Sequence, residues 1–146
     1  MEIKKILVPV DGSEANKKAI EFAAEMAKKF PAQVLLMHVI ELNMPSALQV
    51  EYSYVQYSYT DEDLKNLKDI SRKILDNAKE MLEGVEVSTF SYVGYPVDEI
   101  LRVSEEEDVD MIVMASRGMS GIKKYLMGSV TNNVVHHSKK PVLVIP

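Results

Sequence analysis

Ile6-Leu7-Val8-Pro9-Val10-Asp11-Gly12-Ser13 decides the fold. Lys5 to Val10 is a short apolar, β-branched run, and it stops on Asp-Gly-Ser, residues that turn a chain. It reads as a buried strand closing on a turn. Ser13 is placed to cap a helix running to about Lys29, with Ala19, Ile20, Ala23 and Ala27 on one core-facing stripe. Pro31 breaks that helix, and Gln33 to Ile40 is a second buried run. The chain therefore begins strand, helix, strand.

The same alternation continues. Asp61 to Leu82 places Leu64, Leu67, Ile74, Leu75, Ala78, Met81 and Leu82 at helical spacing, with Gly84 as a left-handed stop. Val85 to Tyr92 reads as a third strand, and Gly94-Tyr95-Pro96 turns into a helix from Val97 to Glu107. The acidic Glu105, Glu106, Glu107 and Asp108 that end it oppose the helix dipole, which makes them a solvated surface and not a metal site. Met111–Ala115 is the fourth strand and Pro141–Ile145 the fifth, with a helix from about Ser129 between them. Strands joined by long helical crossovers form a parallel sheet covered on both faces. The expectation is one α/β domain over residues 1–146: an open five-stranded parallel sheet, doubly wound as a three-layer αβα sandwich, Rossmann-like.

Composition narrows the function. The 146 residues carry a net charge of −5 and no cysteine. Disulfides, thiolate metal sites and cysteine redox chemistry are excluded. An acidic chain without a basic arm is ill suited to neutralising phosphates along nucleic acid, so no nucleic-acid partner is expected. No run approaches the roughly 18 apolar residues of a membrane span, and the N-terminal apolar run is too short for a signal peptide. No membrane partner and a cytoplasmic location are expected.

Open parallel sheets bind ligands beyond the carboxyl ends of their strands, where the winding reverses. Two strand ends carry unusual residues: Asp11-Gly12-Ser13, and Ala115-Ser116-Arg117-Gly118-Met119-Ser120-Gly121 leading to Gly128-Ser129. If the first and fourth strands are neighbours, both segments face one crevice. Gly128-Ser129 opens a helix whose first amides lack internal partners and sit at the positive end of the dipole, a natural phosphate site. The other reading is that Ser129 caps that helix and the glycines make turns. No Walker-type loop and no dinucleotide fingerprint is present.

These residues resemble the universal stress protein family along the whole chain. The carriers are Ile6 to Ser13, Gly94-Tyr95-Pro96, Asp110 to Gly118, Gly128-Ser129-Val130-Thr131, and Lys140 to Ile145. ATP-binding members carry Gly-x2-Gly-x9-Gly-(Ser/Thr). Here Gly118, Gly128 and Ser129 match, and Ala115 stands at the first glycine. The resemblance implies that Asp11 is an adenosine-side carboxylate, with Pro9 and Val10 lining that wall, and that Val39 meets adenine through its backbone. It further implies Ala115, Arg117 and Gly118 beside ribose and phosphates, and Gly128, Ser129, Val130 and Thr131 holding the phosphates, which carry Mg²⁺. Asp11 as a cap of the first helix is compatible with that role. The implied function is an ATP-binding stress-response regulator, homodimeric through strand 141–145, whose nucleotide occupancy alters what a protein partner sees. A nucleotide-free interaction module, or a slow ATPase or adenylyl-transfer enzyme, are the alternatives.

Other residues invite function less. His136-His137 point about 100° apart on a helix, too far to share one ion easily, and with Lys139 and Lys140 they complement a helix C-terminus. His38 reads as a hydrogen-bonded core histidine, and Lys123 and Lys124 as surface residues. No nucleophile and base pair stands out, so no catalytic residue is assigned. Residues 41–60, with Tyr52, Tyr54, Tyr57 and Tyr59, fit neither a helix nor a strand. They form either a loop packed back on the domain or an interaction surface.

Overall fold

The computed structural model describes residues 1–42, 59–117 and 127–146. Five strands, β1 (Lys5–Pro9), β2 (Gln33–Ile40), β3 (Val87–Val93), β4 (Met111–Ala115) and β5 (Val142–Ile145), form one sheet in the order β3-β2-β1-β4-β5. Every neighbouring pair is parallel. The described helices are α1 (Ala15–Lys29), α2 (Asp61–Glu80), α3 (Pro96–Glu106) and α4 (Ser129–His137).

The period-two geometry of the strands divides the core into two layers. Ile6, Val8, Val34, Leu36, Val113 and Ala115 face Ala19, Ile20, Ala23 and Ala27 of α1 and Leu75 and Ala78 of α2. Leu7, Leu35, Met37, Ile112 and Met114 face Ile100 and Val103 of α3 and Val134 of α4. β1 is apolar on both faces because it lies in the middle of the sheet, with its three central residues fully buried. This is the open, doubly wound α/β sandwich.

Local signals act with small differences. Thr60 and Asp63 form a capping box at the start of α2, each side chain taking the other's backbone N–H at 3.0 Å. Gly84 adopts φ +78° in the turn that leads out of α2, which ends at Glu80, and β3 begins at Val87. Pro96 occupies the first turn of α3. Ser13 does not cap α1: the N-cap is Glu14 without a side-chain bond, and Ser13 Oγ is buried with no partner among the described residues. The loop is instead held by Asp11 and Asn16, because a turn that leaves Gly12 at φ +82° carries Ser13 out of capping position.

The acidic end of α3 lies on the surface, where Glu106 pairs with Arg102 at 2.7 Å, Glu105 with Lys139 at 3.3 Å and Asp108 with Lys140 at 2.6 Å. Such exposed pairs contribute at most about 1 kcal/mol each. Both sheet edges are accounted for in sequence order: β3 closes one, with Phe90 and Tyr92 stacked and Arg102 4.7 Å above the Tyr92 ring, and β5 forms the other.

Candidate functional site at the switch point

β1 and β4 are hydrogen-bonded neighbours, with Ile6 opposite Met111 and Leu7 opposite Ile112. The helix after β1 packs on one face of the sheet and the helix after β4 on the other. Two chains that diverge from adjacent strands leave a gap between them, and a cavity of about 460 Å³ opens there.

The first wall is the end of β1. Val10 N donates to Met37 O at 2.8 Å, the last rung between β1 and β2. Asp11 N then turns to Asn16 Oδ1 at 2.6 Å, while Asp11 Oδ1 accepts Ser13 N at 2.9 Å. Asp11 is thus bound into its own loop and does not cap α1. Gly12 allows close approach of α2, since a Cβ there would lie 3.2 Å from Ile74 Cγ1.

The second wall joins β4 to α4. Ser116 N donates to Ile145 O at 2.8 Å, and Gly128 N to Ser116 O at 2.6 Å, which brings the helix start back over the strand end. Gly128 is the N-cap, so Ser129 is the first helical residue and not the cap. Thr131 Oγ1 donates to Ala115 O at 2.8 Å in a buried contact. The amides of Ser129, Val130 and Thr131 fall in the first turn, where no carbonyl of the helix can reach them.

The third wall is the end of β2. In a parallel ladder alternate residues direct both N–H and C=O to the same side. Met37 O meets β1 and Ile40 O accepts Gly94 N beside β3, so Val39 directs its backbone groups toward the β1 side, beyond the point where β1 ends. Leu67, Ile70 and Ile74 of α2 and Pro96 and Ile100 of α3 complete an apolar surround.

Pro9, Val10, Asp11, Val39, Ala115, Arg117, Gly128, Ser129, Val130 and Thr131 therefore all line one cavity. Gly118 lies outside the described residues, as do Gly121, Lys123, Lys124, Tyr52, Tyr54 and Tyr57. Ala115 is 5% exposed, and its methyl belongs to the core layer beneath α1.

Sequence reasoning missed Asn16, Glu41, Leu67, Ile70, Ile74 and Ile100 in the lining. The apolar members carry only the ordinary signal of a core-facing helix. His38 is hydrogen-bonded as expected but half-buried and not in the core, with Nδ1 2.7 Å from Ser71 Oγ and Ser71 Oγ 2.7 Å from Ser91 Oγ. It also lines the cavity. Burial holds its pKa below the ordinary imidazole value, and the nearby Asp11 charge opposes that shift in part. His137 Nδ1 lies 2.8 Å from Asn133 O at the exposed end of α4, and no cluster among the described residues could hold a metal ion.

This topology and crevice define an open, doubly wound α/β protein with a cavity at its switch point. The chain belongs to the universal stress protein family, whose model matches residues 2–146. It is 37% identical over 144 residues to universal stress protein YxiE of Bacillus subtilis, covering 97% of each chain. It is 34% identical over 152 residues to universal stress protein MJ0577 of Methanocaldococcus jannaschii, covering 97% of this chain and 94% of that one. The solved structure of MJ0577 superposes with a TM-score of 0.81 over 99% of this chain and 96% of that one, at 35% identity. A universal stress protein from Archaeoglobus fulgidus, solved in complex with dAMP, superposes with a TM-score of 0.70 over all of both chains at 26% identity.

Proposed function

We propose that this protein binds an adenine nucleotide, ATP in the first instance, at the switch-point cavity and acts as a stress-response regulator rather than a dedicated catalyst. The observation that carries the reading is the convergence on one cavity of Asp11, the backbone of Val39 and the first-turn amides of α4. Each of these suits a different part of a nucleotide.

Adenine needs an apolar slot and a donor and acceptor on its edge. Met37, Ile40, Ile70 and Ile100 supply the slot, and the N–H and C=O of Val39 supply the edge. The Asp11 carboxylate is an acceptor for ribose hydroxyls. At the far end, the amides of Ser129, Val130 and Thr131 and the α4 dipole suit phosphate oxygens. The Thr131 hydroxyl proton is committed to Ala115, so Thr131 contributes its amide and Ser129 its hydroxyl. Mg²⁺ bound with the nucleotide would neutralise phosphate charge that Asp11 and Glu41, which line the cavity, would otherwise oppose. The dAMP complex of the A. fulgidus relative supports an adenine nucleotide as the ligand class.

The Ala115 methyl is packed into the core and leaves the cavity open, which favours binding over a closed site. Occupancy changes the surface that a protein partner meets. The protein is a cytoplasmic homodimer paired through β5. Calorimetric titration with ATP, with and without Mg²⁺, tests the reading. Saturable micromolar binding that weakens at least about ten-fold in Asp11→Ala is expected, one lost charged hydrogen bond being of that order. No saturation in the wild type would overturn it.

A further inference from the structure

We propose that Asn16 is the positioning residue of this cavity: it sets where the Asp11 carboxylate stands, and so governs how the site reads a ribose. The inference rests on the reading of Asp11 as the ribose-side acceptor.

Asp11 carries the first amide beyond the β1–β2 ladder, because Val10 N to Met37 O is the last rung. An amide at that place needs a partner. Asn16, only 7% exposed in the first turn of α1, supplies it through Oδ1 at 2.6 Å. Since that oxygen must face an N–H, the orientation of the carboxamide is fixed as well.

The tie matters because it fixes the chain where it leaves β1. Gly12 follows at φ +82°, a conformation glycine reaches without strain and leaves as readily. The usual helix-cap anchor is missing, since Glu14 makes no side-chain cap bond and Ser13 Oγ has no partner among the described residues. Asp11 Oδ1 also holds Ser13 N at 2.9 Å within the loop. Asn16 connects this loop to the body of α1 twice, its Oδ1 taking Asp11 N and its own N–H donating to Ser13 O at 3.2 Å. It also lines the cavity, so the fixed point and the ligand share one wall.

The test is a double-mutant cycle of Asn16→Ala and Asp11→Ala, read by calorimetry with ATP and with dideoxy-ATP, which lacks both ribose hydroxyls. Asn16→Ala is expected to weaken ATP roughly ten-fold, the scale of one hydrogen bond, and dideoxy-ATP less than about two-fold. In the Asp11→Ala background it should add less than about two-fold, because a residue acting through another is silent once that residue is gone. Without ligand, hydrogen exchange at the Asp11 amide should accelerate in Asn16→Ala and return toward the wild-type rate in Asn16→Asp, which keeps an acceptor. Equal losses for both nucleotides, or a full further loss on top of Asp11→Ala, would reduce Asn16 to a structural contact and overturn the inference while leaving nucleotide binding intact. A wild type that takes up no nucleotide would overturn the proposed function, and this inference with it.

Discussion

Thr131 donates its hydroxyl to the carbonyl of Ala115 at 2.8 Å, tying the first turn of α4 to the last residue of β4 beneath the cavity. Both residues are 5% exposed, so water cannot replace the bond. Thr131→Val keeps the shape and leaves the carbonyl without that donor. A loss of about 1–3 kcal/mol is expected, read as a lower denaturation midpoint at unchanged slope. Thr131→Ser should recover most of it.

Gly12 stands where the chain requires a positive φ and where Ile74 lies close. Gly12→Ala meets both problems, the left-handed backbone alone costing roughly 1–2 kcal/mol. Adding Ile74→Val removes one of the atoms nearest the new methyl, and should recover part of the loss and not all. Thermal unfolding of the two variants checks this. Full recovery would mean that contact, and not backbone conformation, fixes the glycine.

How far such features were legible differs by level. The alternation of apolar strands and amphipathic helices gave the sheet, because buried parallel strands write unbroken apolar runs such as Ile6-Leu7-Val8. The cavity residues on strand ends were also legible, since Asp11 and Gly128-Ser129 break those patterns where a loop begins. Asn16 was not. It lies inside a helix among lysines and alanines, and only the path of the loop before it brings it to Asp11. Leu67 and Ile74 were read as members of the apolar stripe of a helix, and their periodicity cannot distinguish a helix that seals a core from one that walls a cavity. The cap expected at Ser13 failed for a related reason: the spacing was right, but the turn at Gly12 redirects the side chain.

His38 makes stability depend on pH. Its folded pKa is below the ordinary value of 6.5, mainly through burial. Above 6.5 the ring is neutral in both folded and unfolded chains, and its contribution is complete. As pH falls below that value the unfolded chain takes up a proton that the folded chain resists, so stability declines. Replacement by Gln should flatten this part of the profile below about pH 6.5. An unchanged slope in denaturation experiments would show that His38 is not its source.

Among the described residues, β5 is the last strand of the sheet on its side. Pro141 O and Ile145 O face β4, so by alternation Val142 and Val144 direct their amides outward. An exposed edge of this kind is a template for pairing with its copy, which would give the two-fold dimer proposed above. Val144→Pro removes an outward N–H and spares the β4 ladder. Light scattering should give twice the chain mass for the wild type and a folded monomer for the variant. A monomeric wild type at micromolar concentration would contradict the dimer.

The most direct measurement follows backbone amide shifts in the labelled protein as ATP and Mg²⁺ are added. Saturable shifts led by Asp11, Val39, Ser129, Val130 and Thr131, all fitting one dissociation constant, are expected. Shifts confined to other surfaces, or none at saturating nucleotide, would contradict nucleotide binding at the switch point.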